Sequence, residues 1–368
     1  MAKSPLKRLA DEGQSVWIDY LSRDLIHSGE LERMMTRDAV VGVTSNPTIF
    51  QKAISSGEAY DEQLRVELEE TDNPKELFIA LAARDVGDAC DLLRSVWDKG
   101  GGKDGYVSIE VDPRLAYDTE RTTAEATRLH GLIERPNLLV KIPATKPGLP
   151  AIEDMIAKGK SINVTLIFSL ERYREVAEAY IRGLERLVAS GGNPTTIASV
   201  ASFFVSRVDT EADRRLDEID APKRLKGKLA IANARLAYRE YKSLFSGERW
   251  EFLASKGATP QRCLWASTST KNPDYSDVLY VEELIGPETV NTMPEETITA
   301  FQDHGKVAPT LEKGLDKAER LLEQLAAAGV DYDDVTETLE REGVQKFTDS
   351  FLELLDGIKA SSRTAVAA

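Results

Sequence analysis

Lys141 closes the run Asn137-Leu138-Leu139-Val140-Lys141-Ile142-Pro143, an apolar string bounded by turn formers that reads as a buried strand of a parallel sheet. A primary amine at the end of such a strand is costly to keep charged, because an apolar wall disfavours the ammonium. The neutral amine is a nucleophile suited to forming a Schiff base with a carbonyl compound. The plainer alternative is a lysine whose stem packs while its head reaches water. Other polar residues stand where similar runs end. Asp19 ends Val16-Trp17-Ile18-Asp19, Thr44-Ser45-Asn46-Pro47 follows residues 40–43, and Glu110 ends Tyr106-Val107-Ser108-Ile109-Glu110. Asn163 and Thr165 end a fifth run and Ser202 a sixth. Each has an ordinary use as well. Asp19 or Thr165 would cap a following helix, Asn46 would form a turn before Pro47, and Glu110 would pair with Arg114. Two carboxylates, two amides, hydroxyls and an amine on six strand ends argue more together than singly, provided those ends meet in space.

The elements that would bring them together alternate along the chain. Short apolar runs predict strands at 15–19, 39–43, 106–111, 137–142, 161–165, 196–202, 262–266 and 288–292. Helical periodicity covers 59–68 and 76–99 after the second run, then 122–134, 148–158, 170–190 and 207–216 after the third to sixth. Another helix, 277–286, precedes the last strand. Eight strands separated by helices predict a (β/α)8 TIM barrel, in which catalytic groups project from C-terminal strand ends into one mouth. Additional helices are expected at 225–245, 311–328 and 332–359, the last two packing on the barrel as a C-terminal extension. Residues 1–360 read as one domain and 361–368, small and polar, as a disordered tail. The triplet Gly100-Gly101-Gly102 precedes a strand, whereas phosphate-cradling glycines follow one.

Composition narrows the function. Aspartate and glutamate outnumber lysine and arginine 62 to 47, a net charge of −15, so nucleic-acid binding is not expected and an anionic substrate would need a local cluster of cations. Cys90 and Cys263 lie far apart, and His27, His130 and His304 are isolated from one another. A disulfide framework, a metal site and a cofactor are therefore not expected, which fits a reducing, cytoplasmic setting. No apolar stretch approaches the ~20 residues of a membrane span, and the start lacks the apolar core of a secretory signal. The sequence leaves monomer and homodimer both open.

Five segments, in order, resemble the transaldolase family: Thr44-Ser45-Asn46-Pro47, the stretch from Ser108 to Leu115, the stretch from Leu138 to Thr145, the stretch from Ile162 to Ser169, and Ser202-Phe203-Phe204-Val205-Ser206-Arg207. The likeness runs from about residue 14 to 300, and the length resembles the longer bacterial branch. It implies transfer of a dihydroxyacetone unit from a ketose phosphate (sedoheptulose 7-phosphate or fructose 6-phosphate) to an aldose phosphate, in the pentose phosphate pathway. Lys141 would carry the Schiff base, Glu110 and Thr165 would hold a proton-shuttling water, and Asp19 would take the C4 hydroxyl proton. Asn46, Asn163 and Ser202 would hold the three-carbon intermediate, with Phe204 as a wall. Arg207 and Lys271 would bind phosphate, although the family more usually has an arginine where Lys271 falls.

The nearest alternative is a fructose-6-phosphate aldolase, which releases free dihydroxyacetone; the resemblance associates glutamine rather than Glu110 with that activity. A catalytically silent barrel acting as a binding module is the alternative from another class.

Overall fold

The computed structural model describes residues 3–55 and 58–367. Its strands are β1 (Gln14–Ile18), β2 (Val40–Val43), β3 (Tyr106–Glu110), β4 (Leu138–Pro143), β5 (Ile162–Ile167), β6 (Ser199–Phe204), β7 (Arg262–Ala266) and β8 (Thr289–Met293). All neighbours pair in parallel, and β8 closes on β1 to make a barrel in strict sequence order. Parallel pairing demands long crossovers, which the intervening helices supply. Those helices cover the outer face while side chains fill the interior, so both faces of the sheet are buried. Every residue of β3 to β8 is buried. This two-sided burial is why the strands read as continuous apolar runs.

The expected strands are all present, with ends displaced by a few residues. The largest displacement is in β6, because Pro194–Thr196 forms a 3-10 turn capped by Asn193. Helices begin where capping residues sit: Ser22 caps Arg23–His27, Asn73 precedes Pro74–Lys99, Asp118 caps Thr119–Ile133 and Ser169 caps Leu170–Ala189. The plainer uses considered for Asp19 and Thr165 are thus taken by Ser22 and Ser169. Likewise Arg114 pairs with Asp112, not with Glu110. Helices 207–216 and 225–245 appear as Ser206–Glu218 and Leu229–Leu244. The expected helix 277–286 shrinks to the single turn Leu279–Glu282. Among the described residues, six helices lie outside those the sequence predicts: Pro5–Asp11, Arg23–His27, Glu30–Arg37, Pro47–Ser55, Gly247–Ser255 and Glu295–His304.

Two helices follow the barrel, Leu315–Ala328 and Tyr332–Ala367. The second continues through most of the segment expected to be disordered. That segment is alanine-rich, and alanine is the strongest helix former; Ala368 lies outside the described residues. This C-terminal helix lies across the barrel mouth, with residues four apart facing the same way. Gly343 approaches so closely that an added Cβ would lie 3.0 Å from the Leu166 side chain. One turn on, the Phe347 ring packs 6.5 Å from Phe204. One turn further, Phe351 meets Phe78 edge-on at 5.6 Å. Thr48 donates to Ser350 Oγ at 2.8 Å, tying the helix Pro47–Ser55 to the same face.

Candidate active site

Sheet register places the central groups. Glu110 on β3 pairs with Lys141 on β4, which pairs with Asn163 on β5, so the three stand side by side across adjacent strands. All three are buried. Lys141 Nζ lies 3.4 Å from Glu110 Oε2 and donates to the Ser45 carbonyl at 3.0 Å. The wall around the amine is thus polar on one side, where the sequence reading expected apolar lining alone. On the other side the Phe347 ring centroid lies 5.9 Å away.

Asp19 follows β1 directly and accepts from Thr44 Oγ1 at 2.7 Å. Burial raises its pKa above the usual aspartate range, opposed by the charge of Lys141, the Thr44 hydrogen bond and the charge of Arg207. Glu110 is raised in the same way: desolvation dominates, and the nearby Lys141 charge opposes it. Both Glu110 oxygens and Thr165 Oγ1 are buried without a hydrogen-bond partner. Such groups are rare in folded proteins and carry unspent bonding capacity. Asn163 is arranged differently. Its Nδ2 donates to Ser108 Oγ at 3.1 Å and its Oδ1 accepts from Ser202 Oγ at 2.7 Å, which fixes the amide orientation.

These groups meet a cavity of about 330 Å³ at the C-terminal end of the barrel. Asp19, Asn46, Lys141, Thr165, Ser202, Phe204, Arg207 and Lys271 line it. Glu110 and Asn163 stand behind that lining, reached through Lys141 and Ser202 respectively. All ten residues singled out from the sequence therefore gather in one place. Asn46 has the ordinary use as well: its Oδ1 accepts from Ile49 N at 3.1 Å at the start of the helix Pro47–Ser55.

Two left-handed non-glycine residues lie at this end. Leu166 (φ 61°) follows Thr165 where the β5–β6 register shifts, and Ser267 (φ 56°) follows the last residue of β7. A left-handed conformation in a non-glycine residue costs about 1–3 kcal/mol and is retained where the surroundings enforce it. Here the bulge turns the chain directly after Thr165.

Arg207, in the first turn of the helix Ser206–Glu218, is half-buried, with its guanidinium 5.2 Å from the Phe204 ring centroid and 5.8 Å from that of Phe347. Burial lowers its pKa while Asp19 and Glu110 oppose the shift. No hydrogen bond or ion pair joins its guanidinium to another described residue. Lys271 is exposed and donates to Ser269 Oγ at 2.6 Å. Sequence reasoning missed Lys52, Glu296, Lys346 and Phe347, which also line the cavity. The one available signal was the apolar periodicity of the C-terminal helix, which announces packing without saying on what. Among the described residues no cluster of three or more histidine, cysteine, aspartate or glutamate side chains is arranged to hold a metal ion, and no helix is long and apolar enough to cross a membrane.

The arrangement can present a buried amine to a carbonyl, move protons through two carboxylates of raised pKa, and hold an anion with cations that make no ion pair among the described residues. Known proteins resemble the chain over nearly its whole length. The sequence pattern described as Transaldolase/Fructose-6-phosphate aldolase matches residues 16–358, extending through most of the C-terminal helix. The chain is 55% identical over 358 residues to a protein named Transaldolase from Frankia alni, covering 96% of both chains. It is 52% identical to the Transaldolase of Saccharopolyspora erythraea, covering 97% of each, and 53% identical to that of Acidothermus cellulolyticus, covering 98% of each.

Proposed function

The chain belongs to the transaldolase/fructose-6-phosphate aldolase family, and from that premise we propose that it is a transaldolase, a transferase moving a dihydroxyacetone unit between sugar phosphates. Lys141 Nζ adds to the C2 carbonyl of the ketose phosphate, giving a carbinolamine. Loss of the C2 hydroxyl as water, with a proton supplied from Glu110 through a water that Thr165 helps to hold, leaves an iminium. Asp19 then removes the C4 hydroxyl proton. The C3–C4 bond breaks, its electrons flow into the iminium to form an enamine, and an aldose phosphate departs. The enamine attacks the carbonyl of a second aldose phosphate, and the same steps run backwards.

The observation that carries this reading is the side-by-side placement of Glu110, Lys141 and Asn163, with the amine 3.4 Å from a buried carboxylate whose other contacts are unmade. A burial-raised pKa suits both carboxylates to proton transfer nearer neutrality than exposed ones. Asn163 and Ser202 are pre-oriented to hold the hydroxyls of the enamine, Asn46 adds an amide, and Phe204 and Phe347 shield it from water. Arg207 and Lys271 take the phosphate, and Arg207 suits it because its fork is already planar and has no internal anion. The buried thiols of Cys90 and Cys263 are consistent with a cytoplasmic setting.

The test supplies fructose 6-phosphate with and without erythrose 4-phosphate. Formation of sedoheptulose 7-phosphate and glyceraldehyde 3-phosphate only when both are present is the expected result. Release of free dihydroxyacetone without an acceptor would instead identify an aldolase, and no reaction would identify a silent barrel.

A further inference from the structure

The cavity mouth is cationic although the molecule is acidic. Lys52, Arg207, Lys271 and Lys346 line it from four different segments: the helix after β2, the helix after β6, the loop after β7 and the C-terminal helix. None of the four is ion-paired with a carboxylate among the described residues. Elsewhere cations are routinely paired, as in Arg249 with Glu178 and Glu185, or Arg186 with Glu153 and Asp154. In a chain where carboxylates outnumber cations 62 to 47, unpaired cations converging on one cavity need an anion from outside. Two carboxylates share the lining. Asp19 is engaged by Thr44, and Glu296 lies in the first turn of the helix Glu295–His304.

Within this group Lys346 stands on the helix that packs against the arginine. The next residue, Phe347, holds its ring 5.8 Å from the Arg207 guanidinium, so the backbone of the C-terminal helix is anchored there. Gly343, one turn earlier, permits the close approach that brings the helix over the mouth. Repulsion from Arg207, ahead of burial and repulsion from Lys271, lowers the Lys346 pKa. Two like charges held together in the absence of a bound anion are a cost that an anion relieves.

We propose that Lys346, on the C-terminal helix outside the barrel, completes the phosphate pocket with Arg207, and binds the phosphate group of the sugar-phosphate substrates. The helix is therefore part of the active site. It contributes a cation through Lys346 and a wall through Phe347. The inference rests on the transaldolase reading for the identity of the ligand, while the cation cluster stands without it.

Kinetics and direct binding of Lys346→Gln and Lys346→Arg separate the two. Glutamine keeps helix propensity and length while removing the charge. Lys346→Gln is expected to raise KM for fructose 6-phosphate about tenfold, the loss of one charge-assisted contact, with kcat changed much less. It should weaken inorganic phosphate by a similar factor, measured by calorimetry without turnover, and Lys346→Arg should restore both. An unchanged phosphate affinity in Lys346→Gln would overturn the proposal, as would a KM defect that arginine leaves in place. A wild-type protein that binds phosphate through Lys346 yet performs no transfer would leave the cation site standing and remove the transaldolase reading.

Discussion

The two ends of the barrel treat buried charge in opposite ways. At the N-terminal end, Arg262 opens β7 and donates to Ser15 Oγ at 2.9 Å, to Asp104 Oδ1 at 3.0 Å and to the Lys103 carbonyl. Asp104 in turn accepts from Ser15 Oγ at 2.8 Å and from Trp17 Nε1 at 3.2 Å. The charges are matched and their bonds spent on one another. At the C-terminal mouth, Lys141 and Glu110 approach only to 3.4 Å, Glu110 and Thr165 leave oxygens without partners, and Arg207 packs on aromatic faces without an ion pair to any described residue. A closed network fixes the fold; an open one keeps its interactions for the reacting molecule. Preorganised, unsatisfied polar groups are what differential stabilisation of a transition state requires, and their cost to stability is borne by the rest of the barrel.

If that contrast is right, mutations at the mouth damage chemistry and mutations at the closed end damage stability. The largest effect is expected for Lys141→Ala, which should lower transfer turnover on the order of 10⁴-fold or more while the protein still folds, as in other losses of an enzyme nucleophile. Glu110 would then lose its nearest cation, and its already raised pKa lets it take up a proton rather than remain a lone buried charge. Substantial turnover in a purified Lys141→Ala preparation would break the contrast.

The two carboxylates should separate next. Glu110→Gln is expected to slow imine formation by roughly 10²–10⁴-fold, the range for losing a positioned proton-transfer group. Asp19→Asn should still form the imine but cleave the C3–C4 bond slowly. Rapid-quench trapping of the imine in each variant reads the difference, and the reverse pattern would exchange the two roles.

The closed end supplies the control. Arg262→Ala should destabilise the barrel by about 3–5 kcal/mol, because it strands Asp104 without its cation. Its urea midpoint should fall while kcat per folded molecule stays near that of the wild type. A large loss of kcat with unchanged stability would show that this end also takes part in the chemistry. A smaller effect belongs to Arg207→Ala, expected to raise KM for fructose 6-phosphate by about 10- to 100-fold, one charge-assisted contact. KM for the unphosphorylated sugar should move far less. Equal changes for the two sugars would mean that Arg207 supports the mouth by stacking on Phe204 and Phe347.

The contrast also explains what the sequence disclosed. Strands buried on both faces read as apolar runs, so Asp19, Glu110, Lys141, Asn163, Thr165 and Ser202 stood out as polar endings. Period and order then implied the barrel that gathers them. Pairing across strands is nonlocal, and nothing near Glu110 in the chain announces that it sits beside Lys141. Left-handed Leu166 and Ser267 carry no glycine to mark them. Lys346 and Phe347 were hidden for a similar reason: an apolar stripe on a helix shows that it packs, while its partners Phe204 and Arg207 lie far away in sequence. Short helices such as Pro47–Ser55 escaped because they hold too few turns to display a period.

The central claim is that Lys141 is the nucleophile, and the most direct measurement is borohydride reduction in the presence of fructose 6-phosphate followed by peptide mass spectrometry. The account predicts a single three-carbon adduct on the peptide carrying Lys141, lost in Lys141→Ala and retained in Arg262→Ala. An adduct on another lysine, or none while transfer proceeds, would contradict it.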